Sequence, residues 1–162
     1  MPTVGTRAGN LAGEVGERLR QGGWRGGPRH VRYLIRDAVS ADVPAISAIY
    51  GHHVLHGVAS YDTEAPTVEA MRDKLEAVRA AGWPWLVIEH AGSVAGYAYA
   101  TQIRDRAGYR YTAEDSIYVR DDVRGQGVGK ALVARVLKDA EAAGFRQMVA
   151  VIGDSENVGS IG

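Results

Sequence analysis

Seven consecutive residues, Arg124-Gly125-Gln126-Gly127-Val128-Gly129-Lys130, set alternating glycines between two cations. Glycine lets backbone N–H groups crowd together and approach a ligand closely. Where such a turn opens a helix, the free N–H groups and the helix dipole together favour an anion. The residues before it read as a strand and the apolar positions after it recur at helical spacing, so a pyrophosphate is its natural guest. Two common phosphate loops do not fit. A Walker A loop requires glycine where Arg124 stands and Ser or Thr where Ala131 stands. A dinucleotide fingerprint requires G-x-G-x-x-G, whereas the spacing here is G-x-G-x-G.

Other residue types with chemical potential are fewer. His52, His53 and His56 gather near one expected helix end, two of them at i, i+4 spacing, but no Glu lies between them in a metalloprotease pattern. They read as histidines favoured by a helix C-terminus, and no metal is expected. Trp83-Pro84-Trp85 reads as the entry to a strand with a core tryptophan. With no cysteine in the chain, disulfides, thiolate metal sites and thiol nucleophiles are excluded.

The elements that must position these residues follow from periodicity and punctuation. Val31-Arg32-Tyr33-Leu34-Ile35-Arg36 reads as a strand. Ser40 or Asp42 can cap a helix to about His56, with Val43, Ile46, Ile49 and Tyr50 at helical spacing and Gly57 to end it. A loop with Tyr61, Asp62 and Pro66 leads to a second helix, capped by Thr67, with Met71, Leu75 and Val78 on one face and a stop at Gly82. Trp85-Leu86-Val87-Ile88-Glu89 and Val94-Ala95-Gly96-Tyr97-Ala98-Tyr99 flank the hairpin signal Ala91-Gly92. An Arg- and Tyr-rich loop at 103–110 precedes the strand Ser116-Ile117-Tyr118-Val119. The helix after the glycine turn is expected to bury Leu132, Val133, Val136, Leu137 and Ala140 and to close at Gly144. Met148-Val149-Ala150-Val151-Ile152 is expected as a buried strand. The order is strand, two helices, an antiparallel run, then strand–helix–strand. It specifies a mixed α/β (α+β) domain with a right-handed final crossover.

The chain has 162 residues, 46 % hydrophobic and 23 % charged, enough for one core and one domain. Nineteen basic residues balance nineteen acidic ones, which gives no electrostatic case for nucleic acid or a membrane surface as partner. No apolar run approaches the roughly 18 residues of a spanning helix, and no secretory apolar region opens the chain, so cytoplasm is the default compartment. Residues 1–30 carry eight glycines and few large apolar side chains and are expected to be a disordered Gly/Arg-rich extension, with the domain at 31–162.

In this setting the glycine turn resembles the signature of the GNAT acetyltransferases, Gln/Arg-x-x-Gly-x-Gly/Ala after a strand and opening a helix. Three further segments are similar to the phosphinothricin and methionine sulfoximine acetyltransferases of that family: Tyr61-Asp62-Thr63-Glu64, Tyr111-Thr112-Ala113-Glu114-Asp115-Ser116-Ile117-Tyr118-Val119 and Val149-Ala150-Val151-Ile152-Gly153. The similarity covers residues 33–162. It implies a GNAT fold, a mixed and mostly antiparallel sheet flanked by helices, with acetyl-CoA as co-substrate. The pyrophosphate of coenzyme A would lie on Arg124, Gly125, Gln126, Gly127, Val128, Gly129 and Lys130. The backbone of Ile117, Tyr118 and Val119 would hold the pantetheine arm and acetyl group as an added strand. Asn157 and Ser160 match family positions near coenzyme A. Family members continue past Gly162 with further strands, so the domain is expected to be cut short there.

The resemblance also implies a mechanism. A primary amine is mostly ammonium at neutral pH and must lose a proton before it attacks a thioester. Glu114, from the family's Tyr-Thr-Ala-Glu segment, is the implied base, and the N–H of Val119 the implied donor to the oxyanion. No covalent acyl-enzyme is required. The expected partner is a small amino-acid-like amine acceptor, whose carboxylate Arg104 and Arg106 could grip and whose pocket Tyr61 and Tyr111 could line. Another amine, such as a peptide N-terminus, stays open as acceptor, as do a homodimer and a non-catalytic remnant.

Overall fold

The computed structural model describes residues 24–25, 32–56 and 64–151. Tyr61, Asn157, Ser160, Gly57, Val31, Ile152 and most of residues 1–30 lie outside them, and with them the expectations attached to those positions.

Six strands form one sheet in the order β1-β2-β3-β4-β5-β6. They are β1 (Trp24–Arg25), β2 (Arg32–Asp37), β3 (Trp85–His90), β4 (Ser93–Gln102), β5 (Thr112–Val119) and β6 (Gln147–Ala150). Neighbours are antiparallel except β5 and β6, which run parallel across a helical crossover. The helices are α1 (Val43–His56), α2 (Val68–Ala80) and α3 (Val128–Ala142). Alternation along the strands divides the core. Leu86, Ile88, Ala98, Ala100 and Ala113 pack under α3, while Trp85, Val87, Tyr97 and Tyr99 pack under α1 and α2.

Local punctuation behaves as the sequence predicts at several points. Thr67 caps α2 by accepting from the Ala70 N–H at 3.1 Å. Ala91 and Gly92, both at positive φ, make the two-residue turn between β3 and β4 that matches strand twist. Met71, Leu75 and Val78 are buried on one face of α2.

Four expectations are corrected. A short 3-10 turn (Ser40–Asp42) precedes α1, and Asp42 does not cap the helix. Its buried carboxylate accepts from the Val39 N–H and from both terminal nitrogens of Arg36, which also reaches Glu89. The buried stripe of α3 is Val128, Leu132, Val136 and Ala140, while Leu137 is 42 % exposed. Residues four apart drift slowly round a helix, so that stripe is narrow, and Leu137 falls beyond it. β5 begins four residues before Ser116, which puts Glu114 inside the strand. β6 is not a buried strand: it ends at Ala150, leaves Val149 exposed with Val151 exposed just after it, and only Met148 packs on the core.

Candidate active site

Two backbone bonds fix how β5 presents its polar groups. Arg120 N–H donates to Ala95 O, and Ile103 N–H donates to Thr112 O. Even-numbered residues of β5 therefore turn their N–H and C=O toward β4, and by strand alternation Ala113, Asp115, Ile117 and Val119 turn theirs toward β6. The β6 ladder pairs only residues 112–115 of β5. Beyond it, among the described residues, Ile117 and Val119 present their N–H groups on an edge that no strand covers. Of the three expected backbone contacts, Tyr118 is the exception, since its own peptide groups go to β4.

The glycine turn lies beside this open edge. After a 3-10 turn (Asp121–Val123), Gly125 and Gly127 adopt φ of 71° and 80°, a left-handed conformation that glycine enters without penalty. Gly127 is the N-cap of α3, and the first helical bond runs from Ala131 N–H to Gly127 O. The N–H groups of Val128, Gly129 and Lys130 precede that bond, so they point out of the helix end as an anion site does. A Cβ on Gly129 would lie 3.9 Å from the Val119 side chain, which measures how close the turn sits to the strand edge. Arg124 and Lys130 are exposed beside it. Gln126 is exposed as well but held in place: Tyr33 donates to its side-chain carbonyl at 2.6 Å, and its amide donates to Asp122 O. The Val128 side chain is buried in the core, so only its backbone faces out. Left-handed glycines, free helical N–H groups and two cations fit the pyrophosphate of coenzyme A.

Glu114, Ser116 and Tyr118 share the α1–α2 face of the sheet, opposite Thr101, Tyr99 and Tyr97. Tyr97 and Tyr118 stack there with centroids 5.3 Å apart. Asp115 lies on the other face, and its carboxyl is held above the usual range by burial and, secondarily, by the Glu114 charge. Five residues of strand, about 16 Å, separate Glu114 from Val119, while Ile117 is about 10 Å away. Arg104 and Arg106 are exposed on the loop after β4, where their carbonyls accept from the Gln102 amide. Tyr111 is exposed, with the Arg110 guanidinium over its ring at 4.4 Å.

Sequence reasoning missed two residues. Lys74 of α2 donates to Tyr99 OH at 2.7 Å, on the Glu114 side of the sheet, and pairs with no carboxylate among the described residues. His53 does not serve the helix dipole as a cation. Its ring is 3 % exposed, and burial, more than any neighbouring charge, lowers its pKa below the usual value. A periodic signal was there: His53 stands four residues after Ile49 and three after Tyr50, on the stripe that α1 buries, while His52 and His56 fall outside it. The packing of α1 on the end of β5 supplies its partners.

A model of the acetyltransferase (GNAT) family matches residues 50–162. Over 121 residues the chain is 46 % identical to phosphinothricin N-acetyltransferase of Alcaligenes faecalis, covering 75 % of this chain and 61 % of that one. It therefore spans about three fifths of that relative's length. Over 127 residues it is 39 % identical to the L-methionine sulfoximine/L-methionine sulfone acetyltransferase of Salmonella typhimurium, covering 78 % of this chain and 74 % of that one. Among solved structures, a GNAT superfamily phosphinothricin acetyltransferase from Sinorhizobium meliloti in complex with acetyl-CoA aligns with a TM-score of 0.75. The identity is 40 %, over 80 % of this chain and 71 % of that one.

Proposed function

The chain belongs to the GNAT acetyltransferase family, and on that premise we propose that it moves an acetyl group from acetyl-CoA to the primary amine of a small amino-acid-like acceptor. The observation that carries this reading is the adjacency of the glycine turn to the edge of β5 that, among the described residues, no strand covers. The backbone N–H groups of Gly125, Gly127, Val128, Gly129 and Lys130, with the Arg124 charge, receive the pyrophosphate. The arm then runs along β5, passing Val119 before Ile117.

That order bears on the chemistry. A ligand with its phosphates at the turn and its thioester within reach of Glu114 brings its carbonyl nearer to Ile117 than to Val119. We therefore assign the carbonyl-polarising N–H to Ile117 and give Val119 to the arm. Glu114 takes the ammonium proton, through water where the gap requires it. The freed amine forms its C–N bond as the C–S bond breaks, the nitrogen's second proton passes to the departing sulfur, and coenzyme A leaves as the thiol. Lys74, Arg104 and Arg106 are the cations available to an acidic group on the acceptor. The named relatives, which act on phosphinothricin and methionine sulfoximine, support an acceptor of that class.

The test is release of coenzyme A thiol with phosphinothricin, methionine sulfoximine, methionine sulfone and a short peptide with a free N-terminus. Turnover on the amino-acid-like acceptors supports the proposal. Turnover on the peptide alone would reassign the acceptor. No turnover with any amine, despite coenzyme A binding, would overturn the enzymatic reading.

A further inference from the structure

We propose that His53 is a positioning residue for coenzyme A: one ring nitrogen fixes the peptide after Val119, and the other holds the Arg124 guanidinium at the glycine turn. The inference rests on the reading of the turn and the β5 edge as the acetyl-CoA site, and adds a residue from outside both.

The geometry is specific. His53 Nε2 lies 2.9 Å from Val119 O, and its Nδ1 lies 3.4 Å from Arg124 Nη2. Both contacts are satisfied only by the neutral ring with its proton on Nε2, which donates to the carbonyl while Nδ1 accepts from Arg124. The peptide between Val119 and Arg120 is then held from both sides, because its N–H donates to Ala95 O at 2.8 Å. Arg124 is held a second time by Asp121 Oδ1 at 3.0 Å, and the other oxygen of Asp121 meets His52 Nε2 at 2.6 Å. One chain of contacts thus joins α1, the end of β5, the 121–123 turn and the glycine turn.

The same geometry makes the arrangement sensitive to protonation. Facing the His53 ring are His52 on its own helix, Tyr118 of β5 at 5.6 Å, Asp121 and Arg124, while His56 stacks on His52 instead. Burial, Arg124 and His52 oppose a second proton, and the Val119 carbonyl and Asp121 favour it. The balance lowers the ring's pKa, so the neutral form persists to lower pH than in an ordinary histidine. Once protonated, Nδ1 no longer accepts and a cation faces Arg124 at contact distance. Arg124 leaves the turn, and affinity for coenzyme A falls.

The experiment is calorimetric titration of coenzyme A into the full chain from pH 5 to pH 8, for the wild type, His53→Gln and His53→Ala, each first shown to melt cooperatively. At pH 8 His53→Ala should bind about tenfold more weakly, since it leaves a desolvated carbonyl without a donor. His53→Gln, whose amide can still donate to Val119 O, should recover most of that loss. As pH falls below the ordinary histidine range the wild type should lose affinity relative to His53→Gln, because the phosphates of coenzyme A titrate alike in both and only the wild type carries the ring. A wild-type to His53→Gln ratio that stays flat with pH would overturn the proposal, and so would an unchanged dissociation constant in His53→Ala. If His53→Ala does not fold, the His53→Gln comparison decides alone. Wild-type protein that binds no coenzyme A at any pH would overturn the site reading and this inference together, whereas binding that ignores position 53 would overturn this inference only.

Discussion

Gly96 sits in β4 opposite Val119. A Cβ at this position would lie 2.8 Å from Tyr118 O, 3.3 Å from the Val119 Cα and 3.3 Å from the Ile88 side chain. Two of those three atoms are backbone and cannot rotate away. Gly96→Ala must therefore push β5 from β4 by about 0.5 Å at residues 118–119, to reach an ordinary contact distance. Overpacking of this kind costs roughly 1–3 kcal/mol. Alanine at an unstrained strand position returns up to about 1 kcal/mol through the unfolded state. The net expectation is a loss of about 1 kcal/mol, read as a melting midpoint lower by roughly 2–4 °C for a chain of this length. Activity should fall further than stability does, because the displaced strand carries the edge N–H groups of Ile117 and Val119. Misplacement by 1 Å can cost about a hundredfold, so a shift half as large should reduce kcat/KM about tenfold. The assay is a thermal melt beside steady-state thiol release with methionine sulfoximine. A midpoint equal to or above wild type, with kcat/KM within about twofold, would refute the claim that close backbone approach at this point shapes the site.

Other perturbations separate the remaining parts of the argument. Glu114→Gln should lower kcat by roughly 10²–10⁴ while leaving the dissociation constant for coenzyme A unchanged by calorimetry; equal turnover would remove Glu114 from the role of base. Gly127→Ala forces a side chain to φ of 80° and should cost about 1–2 kcal/mol and weaken coenzyme A binding. Gly129→Ala, in a helical conformation with 3.9 Å of clearance, should hold or raise the melting midpoint; similar losses in both variants would contradict the conformational reading of the turn. Arg36 holds the Asp42 carboxyl below the usual range, so this pair contributes stability that is fully present above about pH 4 and is lost as pH falls through the lowered value. Asp42→Ala should cost about 3 kcal/mol at pH 7 and flatten the acid limb of stability against pH, as measured by urea titration.

What the sequence by itself determined is local. Thr67, Ala91, Gly92, Gly125, Gly127 and Gly144 announce their cap, turns and helix end, because each conformation depends on the residue and its immediate neighbours. The helical spacing of Val43, Ile46, Ile49 and Tyr50, and of Met71, Leu75 and Val78, marks the faces that are buried, since the period is a property of one segment. The conformation of the glycine turn was legible for the same reason. Tertiary structure decided the rest. Among the described residues the N–H groups of Ile117 and Val119 lie on an uncovered edge because the β6 ladder ends at Asp115, a fact of strand pairing that no spacing within β5 encodes. Gly96 is required by a backbone atom of another strand, and Lys74 meets Tyr99 only because α2 lies over β4. His53 and Val119 are 66 residues apart, and one of three neighbouring histidines becomes a neutral clamp only when α1 packs on the end of β5 and removes its ring from water.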